Sequence, residues 1–114
     1  MVKTIRQETT LNLRKHRAAL LAQLDPPANL LRASYVRHYL TCGKRNCRCR
    51  RGFKHGPFYY LVQCLGTGRV RKFLLKTAGQ RKKAREGIAA HQNHQRWLAE
   101  LSEINTELLR RAEL

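Results

Sequence analysis

The stretch Cys42-Gly-Lys-Arg-Asn-Cys47-Arg-Cys49, followed from His55 by His-Gly-Pro-Phe-Tyr-Tyr-Leu-Val-Gln-Cys64, decides how this chain is read. Three cysteines within eight residues and a histidine six further on offer three thiolates and one imidazole, a closed tetrahedral donor set for structural zinc. Cys42, Cys47, Cys49 and His55 are the expected ligands. The spacing departs from the common two-plus-two fingers, so Cys64 stands as the alternative to His55 in the fourth position. His55 is nearer in sequence and is held by Gly56-Pro57. Cys64 shares the alternating face of Val62 and reads as a small core residue. Lys44, Arg45, Arg48 and nearby backbone amides can offset the thiolate charge. Structural zinc can add on the order of 10 kcal/mol of apparent binding energy to folding, which matters in a chain of 114 residues with room for only a modest core.

Working outward, the knot lies between two alternating segments. Ser34 to Thr41 reads as a strand, with Tyr35, Arg37 and Tyr39 on one face and Val36, His38 and Leu40 on the other. Pro57 to Leu65 reads as a second strand, with Phe58, Tyr60, Val62 and Cys64 opposite Tyr59, Leu61 and Gln63. Gly66-Thr67-Gly68 is a turn signal, and Arg69 to Leu75 reads as a third strand. Upstream, Val2 to Leu24 predicts a helix whose irregular apolar stripe is Ile5, Leu13, Leu20, Leu21 and Leu24, stopped by Asp25-Pro26-Pro27. A short helical turn fits Ala28 to Arg32. Downstream, Thr77 and Gln80 form a capping box, so a long helix should run from there to about Arg111. Trp97, Leu101, Ile104 and Leu108 recur at spacings of four, three and four, a heptad seam widened by Leu98 and Leu109. The seam has two candidate occupants: the N-terminal helix of the same chain, or a second copy in a homodimer or other partner interface. His91 and His94, at helical spacing, read as a solvated pair rather than a second metal site.

The chain carries 24 Lys and Arg against seven Asp and Glu, a formal net charge of +17. Between Arg32 and Arg85 there is no acid at all. Such a block repels itself in the compact state unless a polyanion offsets it. The expected phosphate-binding residues are Arg37, Lys44, Arg45, Arg48, Arg50, Arg51 and Lys54 around the knot, Arg69, Arg71 and Lys72 on the sheet, and Arg81, Lys82, Lys83 and Arg85 at the helix start. Tyr35, Tyr39, Phe58, Tyr59 and Tyr60 are candidates for stacking on bases, although alternating aromatics in a small protein are more often core. No run approaches the roughly 18 apolar residues of a membrane span. The first ten residues have no apolar signal-peptide region. Both features fit a reducing cytoplasm, where clustered cysteines are metal ligands rather than disulfides.

The run from Ser34 to Cys49, with its Cys-Gly-Lys-x-Asn-Cys-x-Cys knot, and the following His-Gly-Pro-aromatic strand resemble a family of small bacterial proteins of unknown function that also carry a long C-terminal helix. The resemblance covers about Ser34 to Trp97. It matches Cys42, Cys47, Cys49 and His55 to metal-type positions and implies a prokaryotic, mobile-element setting, with no activity attached. The chain departs from the family pattern at Arg45, where Pro is more usual, and at Phe58, where Tyr is.

Together these features predict one α+β domain over residues 1–114. Its segments are an N-terminal helical part (1–33), a three-stranded antiparallel sheet with a zinc knuckle between strands 1 and 2 (34–76), and a long C-terminal helix (77–114). The expected role is an accessory protein that binds nucleic acid, DNA ahead of RNA, and assists a recombinase or transposase. The alternative is an adaptor docking a larger protein through its terminal helices. No catalytic residue is expected: four protein ligands leave the metal no open position for water, and no carboxylate lies near enough in sequence to act as a base.

Overall fold

The computed structural model describes residues 4–23 and 25–114. Helix α1 spans Thr10–Ala22, strands β1 to β3 span Ser34–Leu40, His55–Gly66 and Arg69–Leu74, and helix α2 spans Ala78–Arg110. The sheet is antiparallel in the order β1-β2-β3. The predicted architecture of two helices and a three-stranded antiparallel sheet, with the Cys/His cluster between the first two strands, is the one observed. The chain forms two compact units. A terminal unit combines residues 1–28 with 91–114, and a central unit comprises 29–90. Helix α2 contributes to both.

In the terminal unit, the predicted N-terminal helix is interrupted. A 3-10 turn occupies Ile5–Gln7, and α1 begins only after Thr9, whose hydroxyl accepts from the Asn12 amide at 3.1 Å. Local capping by Thr9 thus overrides the continuous helix that periodicity suggests. The ends of that predicted helix, Val2 and Leu24, lie outside the described residues. Leu13 and Leu20, one heptad apart, pack with Ile104 and Leu108, and Ile5, Trp97 and Leu101 flank them. Ile104 and Leu108 are 0% exposed. Full burial of a leucine or isoleucine is worth about 1.5–3 kcal/mol relative to leaving it exposed. The heptad seam therefore packs against the chain's own first helix, one of its two candidate occupants, through Ile104 and Leu108, while Leu98 and Leu109 at its edge are exposed. Leu21, predicted on the same stripe as Leu13, is exposed instead.

Glu107 is the one buried charged side chain among the described residues. It accepts from Arg110 Nε at 2.8 Å and Arg111 Nε at 2.9 Å. Arg111 also donates to Thr10 Oγ1 and the Arg6 carbonyl, tying the end of α2 to the N-terminal segment. The Arg110 hydrogen bond, followed by that of Arg111 and their two charges, outweighs desolvation and holds the Glu107 carboxyl at about 2.

In the central unit, the Thr77 capping box is present as predicted. Thr77 Oγ1 accepts from the Gln80 amide at 3.0 Å, and Gln80 Oε1 accepts from the Lys76 and Thr77 amides. The core joins Leu61, Leu75 and Ala84, with Ala33, Tyr35, Tyr59 and Ile88 against them. The covered face of β2 is therefore that of Tyr59 and Leu61. Cys64 lies on the other face and is exposed, which corrects its reading as a core residue. Where a helical turn is predicted at 28–32, only Ala28 and Asn29 form a turn, and no helix follows. Leu31 instead donates its amide to the Gly87 carbonyl at 2.9 Å. Gly87 lets that segment cross α2 closely: a methyl group there would fall 2.6 Å from the Asn29 carbonyl oxygen and 2.8 Å from the Leu31 side chain.

Candidate metal centre and cationic surface

Leu40 at the end of β1 pairs with His55 at the start of β2, which closes the loop between them into a hairpin. Cys42 follows β1, Cys47 caps a 3-10 turn at Arg48–Arg51, Cys49 lies within that turn, and His55 opens β2. The hairpin brings these four side chains together, with their ligand atoms all within 4.8 Å of one another. Cys42 Sγ lies 3.5 Å from Cys49 Sγ, and Cys47 Sγ lies 3.1 Å from His55 Nε2. Zn–S bonds of about 2.3 Å and Zn–N bonds of about 2.0 Å in a tetrahedron would set these separations at about 3.8 and 3.5 Å. Those two pairs are a few tenths of an ångström short of these values, and the four residues lie close enough together to hold a metal ion. All four cysteines are free, and Cys64 is not in the cluster. The fourth position thus falls to His55.

Backbone amides donate to the sulfurs of the cluster. The Cys42 amide donates to Cys49 Sγ at 3.3 Å. For Cys47, hydrogen bonding from the Cys49 amide leads, and hydrogen bonds with Cys42, Cys49 and His55 add to it. Together they bring the thiol down to about 6 against the desolvation that opposes them. For Cys42, the Lys44 amide pulls downward, but hydrogen bonds to Cys47 and Cys49, desolvation and the Cys47 charge outweigh it, and the net shift is upward.

Charge divides unevenly between the two units. Residues 29–90 hold 16 of the 24 Lys and Arg and only one acid, Glu86, and so carry +15 of the net +17. The six knuckle cations, Lys44, Arg45, Arg48, Arg50, Arg51 and Lys54, are all exposed. No ion pair among the described residues includes any of the fourteen predicted phosphate-binding residues.

Four of the fourteen are partly committed to aromatic rings. The Arg81 guanidinium sits 5.2 Å from the Tyr59 ring centroid and donates to the Leu75 carbonyl. Arg85 sits 5.6 Å from the Tyr35 ring and donates to its hydroxyl at 3.2 Å. Tyr35 and Tyr59 stack on each other at 5.4 Å. These contacts fasten the start of α2 to the sheet, so Arg81 and Arg85 have a structural role that the sequence reading missed. Lys72 lies 4.4 Å from the Tyr60 ring and Arg37 lies 5.9 Å from that of Tyr39. Arg69, Arg71, Lys82 and Lys83 are exposed. The reading also overlooked Phe53, an exposed ring in the middle of the knuckle cations. Its signal was the run Arg50-Arg51-Gly52-Phe53-Lys54, where an aromatic interrupts a basic stretch. His91 and His94 do not gather a second metal cluster among the described residues.

No helix among the described residues is long and apolar enough to cross a membrane. A family model described as a domain of unknown function, DUF6788, matches residues 10–78, more than half of the chain, and the chain belongs to that family. The match takes in α1, the sheet and the metal-type cluster and ends as α2 begins, so it starts well before Ser34, where the resemblance in the sequence begins. Comparison with curated proteins and with solved structures gives no match.

Proposed function

We propose that this member of the DUF6788 family is a nucleic-acid-binding protein, with DNA as its partner, and that Cys42, Cys47, Cys49 and His55 hold a structural zinc ion. One observation carries the binding role: the central unit has a net charge of +15, and none of its cations is in an ion pair among the described residues. Unpaired surface cations at that density favour a polyanion, whose condensed counterions are released on binding. The zinc assignment rests on the donor set. Three sulfurs and one imidazole suit zinc over the oxygen-seeking cations, and four protein ligands make the centre a scaffold rather than a catalyst. The ion would fix the loop that displays Lys44, Arg45, Arg48, Arg50, Arg51 and Lys54. The family resemblance adds a bacterial mobile-element setting, in which the chain assists a recombinase or transposase on DNA.

Charge reversal tests the reading. The double variant Arg48→Glu/Arg51→Glu should weaken DNA binding at least tenfold and lower the salt slope by about 2, roughly one unit for each phosphate that is no longer neutralised. Arg14→Glu, which breaks the Arg14–Glu113 pair in the terminal unit, should leave both quantities unchanged. Equal losses from the two variants would defeat the assignment of binding to the central unit.

A further inference from the structure

Phe53 is 65% exposed, the most exposed aromatic ring among the described residues, and belongs to neither apolar cluster. Its backbone is nevertheless well held. Gly52, at φ +98°, closes the 3-10 turn by donating to the Arg48 and Cys49 carbonyls. The Phe53 amide itself donates to the Arg48 carbonyl at 3.3 Å. Two members of the metal-type cluster flank it, Cys49 four residues before and His55 two residues after. Arg50, Arg51 and Lys54 around it are exposed, and none is in an ion pair of the described residues.

A single exposed apolar side chain is ordinary on a protein surface. An aromatic ring held on a hydrogen-bonded turn, inside a cationic loop without acids, has the combination by which single-strand binders work. The ring takes a base and the cations take the adjoining phosphates. An intact duplex keeps its bases stacked on each other, so the ring would have a free face to meet only where a base is unpaired.

We propose that Phe53 stacks on an unpaired base while Arg50, Arg51 and Lys54 hold the flanking phosphates, so that the knuckle engages single-stranded or locally unpaired DNA. This rests on the nucleic-acid reading above and narrows its substrate.

The test uses the full-length protein with a labelled mixed-sequence single strand of about 15 nucleotides and the same sequence as a complete duplex. Phe53→Ala and Phe53→Leu should each weaken single-strand binding about 5- to 150-fold and leave duplex binding nearly unchanged. Phe53→Tyr, which keeps the π face, should bind like the parent. Leu keeps the apolar bulk, so its loss separates stacking from simple burial. An unchanged metal content in the variants shows that the loop is intact. Parent-like single-strand affinity in Phe53→Ala and Phe53→Leu, alongside lost binding in Arg48→Glu/Arg51→Glu, would overturn stacking and keep the nucleic-acid reading. Equal losses on both DNA forms would overturn the assignment to unpaired bases. Failure of the parent to bind either form would overturn the nucleic-acid reading and this proposal with it.

Discussion

The terminal and central units use charge in opposite ways. Residues 1–28 with 91–114 carry six of the seven acids, and every cation–carboxylate contact among the described residues lies there. Arg14 meets Glu113, His16 meets Glu100, and Arg110 and Arg111 share Glu107. Part of the charge in that unit is thus paired within the fold, beside a seam of buried leucine and isoleucine. The central unit has almost no acid for its cations to pair with. A few of those cations lie over tyrosine rings, and the others face water. Its apolar cluster is a strip of Leu61, Leu75 and Ala84 with their half-buried neighbours. A small core beneath a large positive charge is a weak basis for stability, and the Cys/His cluster sits where an ion could make up the deficit. On the proposed function, the two units have different sources of stability: an apolar seam with ion pairs in one, and a bound cation and a polyanion in the other.

The largest break in this comparison should come from Cys47→Ser. The variant should lose its metal and, with it, hydrogen-exchange protection along β1 and β2, while amides around Ile104 and Leu108 stay protected. A metal-free variant with full protection in the sheet would show that the cluster does not hold the central unit together. Next in size is Leu108→Ala. Removing a fully buried leucine from the terminal seam should cost about 2–5 kcal/mol in denaturant unfolding followed by signals from that seam. Metal content and DNA affinity should not change. A fall in either would mean that the two units do not divide the work as described.

The smallest expected effect concerns pH. The Glu107 carboxyl titrates at about 2 in the folded chain, below its ordinary 4.5. Its contribution to stability is therefore complete above about 4.5 and drains away as pH falls from there toward 2. Glu107→Gln should lower the melting temperature near neutral pH and flatten the acid limb of its pH dependence. An acid limb as steep as the parent's would assign the loss to other carboxylates.

Local chemistry carried the parts of this molecule that the sequence made legible. Thr77 and Gln80 announce the start of α2, alternation marks the three strands, and the cysteine spacing with His-Gly-Pro marks the cluster. What the sequence hid depends on three-dimensional neighbours. Alternation along β2 separates two faces but does not say which one α2 covers, and Leu61 rather than Val62 faces inward. Glu8-Thr9-Thr10 offers both a continuous helix and a new cap, and the Thr9 hydrogen bond decides between them. Gly87 reads as a weak point inside a helix until Asn29 and Leu31 are seen to pass against it. Arg81 and Arg85 read as free phosphate ligands until Tyr59 and Tyr35 appear beneath them. The heptad seam was legible as a pattern, but a pattern does not name its occupant; the packing of Leu13 and Leu20 against Ile104 and Leu108 shows α1 on it.

The proposed binding role depends on whether the acid-free stretch of the central unit binds a polyanion through its cations. The most direct measurement is a titration of the purified, metal-loaded protein against labelled single-stranded and duplex DNA at several salt concentrations. The expected affinity falls linearly on a log–log plot, with a slope that corresponds to about five or more phosphate contacts. Weak binding to both forms, or binding indifferent to salt, would contradict that role and leave the charge of residues 29–90 to be explained by another partner.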